Sequence, residues 1–90
     1  MKIETSTRAD KRLMATFANG KVVHFGQRGS QTYIDHGDER KRTAYLARHL
    51  SRENWDDPYS AGALSRWLLW GDSKSLDVNH DTFMRRFRVS

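Results

Sequence analysis

The 90-residue chain has no cysteine, a single proline (Pro58), and no apolar stretch approaching the roughly 20 residues that a bilayer-spanning helix needs. Without cysteine the fold cannot rest on disulfides or a thiolate zinc site, so stability must come from packing. Without a long apolar run, membrane insertion is not expected. The N-terminus, Met1-Lys2-Ile3-Glu4-Thr5-Ser6, carries an acid and lacks the apolar core of a secretory signal, so the protein is expected to be intracellular rather than secreted. Catalytic signatures are missing too. No serine lies in a nucleophile-elbow pattern and no histidine pair has the spacing of a metal motif, so the chain reads as a binding protein rather than an enzyme, with no cofactor expected.

At this length burial only just outweighs chain entropy, and residues 1–90 read as one small domain with one core. Sixteen Lys and Arg against eleven Asp and Glu leave a formal charge of +5, which favours anionic partners. Nucleic acid comes first among these, and an acidic protein is the alternative.

The β-prone runs Leu13-Met14-Ala15-Thr16-Phe17 and Lys21-Val22-Val23-His24-Phe25 flank Ala18-Asn19-Gly20, the strongest short-range hairpin signal. A two-residue type I′ turn at Asn19-Gly20 is expected, with positive φ at both positions. Lys2 to Ser6 alternates Ile3 and Thr5 with charged neighbours and predicts a third strand beside the hairpin. The sheet should be antiparallel with one wet face. Gly26 and Gly29 break the pattern, and Thr32-Tyr33-Ile34 reads equally as a short strand or an extended loop.

A helix follows from about Asp38 to Leu50, with Asp35 or Asp38 as its cap. Ser51 to Tyr59 is a connection whose Trp55 folds back toward the core. Ser60 then caps Ala61 to Trp70, apolar on nearly every side and therefore buried, and Gly71 ends it. A terminal helix is predicted from about Ser75, with Val78, Phe83, Met84 and Phe87 on its apolar side. The expected fold is α+β: a three-stranded antiparallel sheet, made of the N-terminal strand and the hairpin, packed against two or three helices. Trp67, Leu68 and Leu64 are placed at its centre, so truncating Trp67 should unfold or severely destabilise it.

Helical spacing gathers Lys41, Tyr45, Arg48 and, if the helix reaches so far, Arg52 on one side. Cations at intervals along a rigid element suit phosphates, and a ring among them can stack on an exposed base. The alternative is an ordinary solvated face on which Tyr45 covers apolar surface. Arg28, within Gly26-Gln27-Arg28-Gly29-Ser30, and the terminal Arg85, Arg86 and Arg88 are further candidate phosphate contacts. His36, Asp38 and Glu39 are metal-competent, but neighbours at a helix start diverge, and they read as a turn histidine followed by capping acids.

Lys21-Val22-Val23-His24-Phe25-Gly26, His36-Gly37-Asp38-Glu39-Arg40-Lys41-Arg42 with Tyr45-Leu46 and Arg48-His49, Glu53-Asn54-Trp55, and Ser60 to Trp70 together resemble a family of small uncharacterised proteins of large double-stranded DNA viruses of algae and protists. The block Ser65-Arg66-Trp67-Leu68-Leu69-Trp70 is the most specific part. The resemblance implies a viral or algal setting, for a viral protein in the cytoplasm or nucleus of an infected cell or in the virion, and no catalytic residues. It favours two roles: binding nucleic acid, or serving as a small structural virion component or protein-interaction module with an acidic partner.

Overall fold

The computed structural model describes residues 1–89. Among the described residues, strands β1 (Lys2–Thr5), β2 (Lys11–Thr16) and β3 (Val22–Gln27) form an open antiparallel meander in the order β1-β2-β3. The register sets Ile3 opposite Ala15, Ala15 opposite Val23, and Leu13 opposite Phe25. Side chains alternate along a strand, so these five share one face, and all of them join the core cluster. Lys2, Glu4 and Val22 lie exposed on the other face.

The hairpin loop is one residue longer than expected. Phe17 N donates to Lys21 O and Gly20 N donates to Phe17 O, both at 2.9 Å, leaving Ala18-Asn19-Gly20 as a three-residue loop. Only Gly20 takes a left-handed conformation (φ 88°), as in a type I turn closed by a glycine bulge. The cause is register. A two-residue loop would pair Ala18 with Lys21, slip β3 by one position, and turn Val23 and Phe25 to the wet face.

Thr32-Tyr33-Ile34 is neither strand nor extended loop. Helix α1 (Tyr33–His36) is a single turn in which Asp35 Oδ2 accepts from Thr32 N (2.7 Å) and Thr32 Oγ1 (3.0 Å). Helix α2 (Glu39–His49) starts at Asp38, whose Oδ1 accepts from Arg40 N (2.9 Å) and Lys41 N (3.3 Å). Its inner side is Arg42, Tyr45, Leu46 and His49, the i, i+3, i+4, i+7 pattern of a helix lying on a core.

Helix α3 (Ala61–Leu64) is capped by Ser60, whose Oγ accepts from Ala63 N at 3.1 Å, and runs directly into a π-helical turn, Ser65–Leu69. Trp70 N closes that turn on Ser65 O at 3.0 Å. The carbonyls at its end take side-chain donors: Arg42 Nε reaches Trp70 O (3.2 Å) and Gly71 O (3.0 Å), and Arg66 Nη1 reaches Trp70 O (3.1 Å). At Gly71 a Cβ would overlap the Trp67 carbonyl and the Asn79 carboxamide, so only glycine fits. Leu64 and Leu68 are fully buried, but Trp67 is only half-buried. Its Nε1 donates to Trp55 O (2.8 Å), and the guanidiniums of Arg66 and Arg86 lie 4.2 and 3.9 Å from its ring centroid. A large ring with a polar edge settles at the margin of the core.

Helix α4 (Leu76–Phe87) begins at Ser75, whose Oγ accepts from Val78 N at 3.3 Å, and drives Phe83 into the core. Val78, expected on the apolar side, is 51% exposed. Asn79 takes the buried place. Its Nδ2 donates to Leu68 O (3.0 Å) and Ser73 O (2.8 Å), and its Oδ1 accepts from Ser73 N (3.0 Å), so carbonyls past the π-helical turn are not stranded.

Candidate functional site

Beyond the Leu13–Phe25 pair, the next pair on the same face of the sheet is Lys11 opposite Gln27. Here the apolar face runs out and a cleft of about 590 Å³ opens between the end of the hairpin, α2 and α3. Tyr45, Leu69 and Trp70 supply its apolar lining, and Lys11, Lys41 and Arg48 its cations. The π-helical turn brings Ser65 to the same wall.

The aromatic wall is ordered. Tyr45 stacks on Trp70 (centroids 4.3 Å apart, planes 6° apart) and on His49 (4.1 Å, 24°), and the His36 ring meets Trp70 edge-on at 5.5 Å. Burial pushes the Tyr45 phenol above its ordinary pKa, and the nearby Glu53 charge adds to the shift. Glu53 also borders the cleft, but His49 Nδ1 lies 3.2 Å from its Oε1 and Trp55 Nε1 donates to it at 3.2 Å. Among the described residues, Lys11, Lys41 and Arg48 have no carboxylate within ion-pair distance, whereas Arg12 and Arg42 do, at Asp35 and Asp72.

The residues singled out from sequence are dispersed over several surfaces. Lys41 and Arg48 stand together at the cleft. Tyr45 is not on an exposed stripe with them: it is 9% exposed, because the strip that packs on the core centres close to it and leaves the two cations on its flank. Arg52 lies past the end of α2, in a turn where its N donates to His49 O, so the stripe stops before reaching it. Arg28 is tied down: its Nε donates to Ala9 O (3.0 Å), and its Nη2 to Ser6 O (2.9 Å) and Arg8 O (3.1 Å), which pins the β1–β2 turn. Arg85, Arg86 and Arg88 lie on or just past α4, away from the cleft lining, with Arg86 against Trp67.

His36, Asp38 and Glu39 are each engaged in building the helix start. His36 Nδ1 accepts from Asp38 N (2.8 Å), Asp38 caps α2, and Glu39 accepts from the Tyr33 hydroxyl. Among the described residues no group of three or more His, Asp or Glu side chains can share a metal ion. One pairing was not foreseen: Ser6 Oγ and His24 Nδ1 are 2.7 Å apart. Ser6 is buried, its Oγ also accepts from Arg8 N (3.0 Å), and neither residue borders the cleft, so the pair ties the end of β1 to β3. Sequence reasoning also missed Lys11, Gln27, Gln31 and Ser65. The hairpin register was the one available signal for the first two.

The model of a family of unknown function, DUF5754, matches residues 1–49, which carry the sheet, α1 and α2. An uncharacterized protein of Acanthamoeba polyphaga mimivirus is 32% identical over 80 residues, covering 78% of this chain and 80% of the relative. This agrees with the resemblance to proteins of large DNA viruses drawn from the sequence. No solved structure matches the chain. The family match spans the cations Lys11, Lys41 and Arg48 together with Tyr45, and the chain belongs to the DUF5754 family.

Proposed function

We propose that the protein is a non-catalytic nucleic-acid-binding module and that it binds through the cleft rather than through a flat helical stripe. The observation that carries this reading is the convergence of Lys11 from β2 with Lys41 and Arg48 from α2 on one cleft, all three without an ion-pair partner among the described residues. Cations left free of internal partners and held on two rigid elements give a local positive potential at fixed spacing, which is what a phosphate backbone recognises. Glu53 is the one carboxylate residue in the lining, so three cations stand against one acid there. The mimivirus relative supports a viral setting for this role.

Binding should weaken steeply as salt rises, because each neutralised phosphate releases counterions. Three contacts give a log–log slope magnitude of about 2 for a single strand. Replacing Lys11, Lys41 and Arg48 together by Ala should remove most of that slope while the protein stays folded, since exposed or rim positions away from the core cost little stability. Absence of binding to any nucleic acid at low salt would refute the proposal and favour a structural or interaction module with an acidic protein partner.

A further inference from the structure

We infer that the cleft takes one unpaired nucleobase of a single strand, with the adjoining phosphates on Lys11, Lys41 and Arg48; this rests on the nucleic-acid reading above. Three features of the cleft separate a base site from a merely basic surface. Its volume, about 590 Å³, lies in the range of small-molecule clefts and is ample for a flat ring system, whereas a duplex keeps its bases stacked inside and can touch only the rim. Its wall is the stack of His49, Tyr45 and Trp70, in which Tyr45 is already covered on both faces, so a base would extend the stack from an end ring, without preference for its identity. The side chains of Gln27, Ser30, Gln31 and Ser65 border the same space and make no hydrogen bond among the described residues. Carboxamides and hydroxyls each offer both a donor and an acceptor, the complement of a base edge that has no Watson–Crick partner.

Charge alone would not call for this arrangement. Phosphate contacts need neither an apolar lining nor free amide groups, and the cleft has both beside its cations.

The test compares wild-type protein, at one fixed low salt concentration, with a mixed-sequence single-stranded DNA 12-mer, the same 12-mer made wholly abasic, the corresponding duplex, and a free nucleoside monophosphate. Base-bearing single strand should bind at least about tenfold more tightly than abasic strand, duplex or monophosphate. Ala44→Trp, which puts a ring into the cleft from an exposed position of α2, should abolish the difference between base-bearing and abasic strands. Equal affinity for base-bearing and abasic strands, or for strand and duplex, with salt dependence retained, overturns the base site and leaves the proposed function standing. No binding to any strand overturns both. Monophosphate binding as tight as the 12-mer overturns the strand in favour of a free nucleotide.

Discussion

The phenol ring of Tyr45 lies almost flat on the indole of Trp70, 4.3 Å between centroids and 6° between planes, so α2 is joined to the end of the π-helical turn by a stack rather than by a polar contact. The hydroxyl makes no hydrogen bond among the described residues, and burial raises its pKa above the usual 10.0. A raised phenol pKa means that the neutral form is favoured by folding. The stability it contributes is complete below about pH 10 and is lost as pH rises toward the folded value.

Tyr45→Phe should therefore flatten the fall in stability above about pH 10 in urea unfolding, while changing stability near neutral pH by less than about 1.5 kcal/mol. Tyr45→Ala should cost about 3–5 kcal/mol through loss of the stack. Tyr33 is raised too, chiefly by its hydrogen bond to Glu39, so the residual alkaline limb of the Tyr45→Phe variant belongs partly to it. An unchanged alkaline limb would show that the Tyr45 ring is not held in the core.

Arg12 grips Asp35 with two bonds, Nη1 to Oδ2 at 2.7 Å and Nη2 to Oδ1 at 2.8 Å, and this pairing brings the carboxyl down to about 2. A lowered carboxyl pKa adds stability that is present above about pH 4 and disappears as pH falls through about 2. Asp35→Asn and Arg12→Ala should each make the acid limb shallower over that interval. Solvent reaches both partners, so the loss at neutral pH should stay below about 1 kcal/mol. Circular dichroism across an acid titration gives the comparison, and an acid limb identical in all three proteins would contradict the pairing.

Trp67, expected at the centre of the core, is half-buried, whereas Phe83, expected on the apolar side of the terminal helix, is fully buried. Phe83→Ala empties a fully buried site on α4 and should cost about 3–5 kcal/mol, a large share of a small domain's stability. Trp67→Ala removes a half-buried ring, one hydrogen bond to Trp55 and contacts with two guanidiniums, together about 2 kcal/mol, so this variant should remain folded at room temperature. Chemical denaturation of the two variants side by side decides the order, and a lower midpoint for Trp67→Ala than for Phe83→Ala would reverse it.

The cap at Ser60 was legible, and Asp38 as one of two candidates, because a short polar side chain before an apolar periodic run satisfies free amides whatever the tertiary context. The hairpin was legible for a similar local reason, but its loop length was not, since burial of Val23 and Phe25 on the core face decides the pairing of Phe17 with Lys21. A four-residue helix at Tyr33–His36 is too short for periodicity to reveal. At the cleft, Lys41 and Arg48 follow from helical spacing. Lys11 and Ser65 do not, because they join those two only when the sheet and α3 close against α2. Arg28 donates to three backbone carbonyls, a set of contacts that no sequence pattern announces.

Arg42 reaches from α2 to the carbonyls of Trp70 and Gly71 and to Asp72, across the Ser51–Tyr59 connection. Severing the backbone in that connection would give a piece with a sheet whose apolar face is bare and a second piece with two helices and no sheet. Each would hold what the other needs. Lys11, Lys41 and Arg48 belong to the first, and Ala61, Ser65 and Trp70 to the second, so the halves should behave as a split protein in which the cleft re-forms only when the two fragments have found each other.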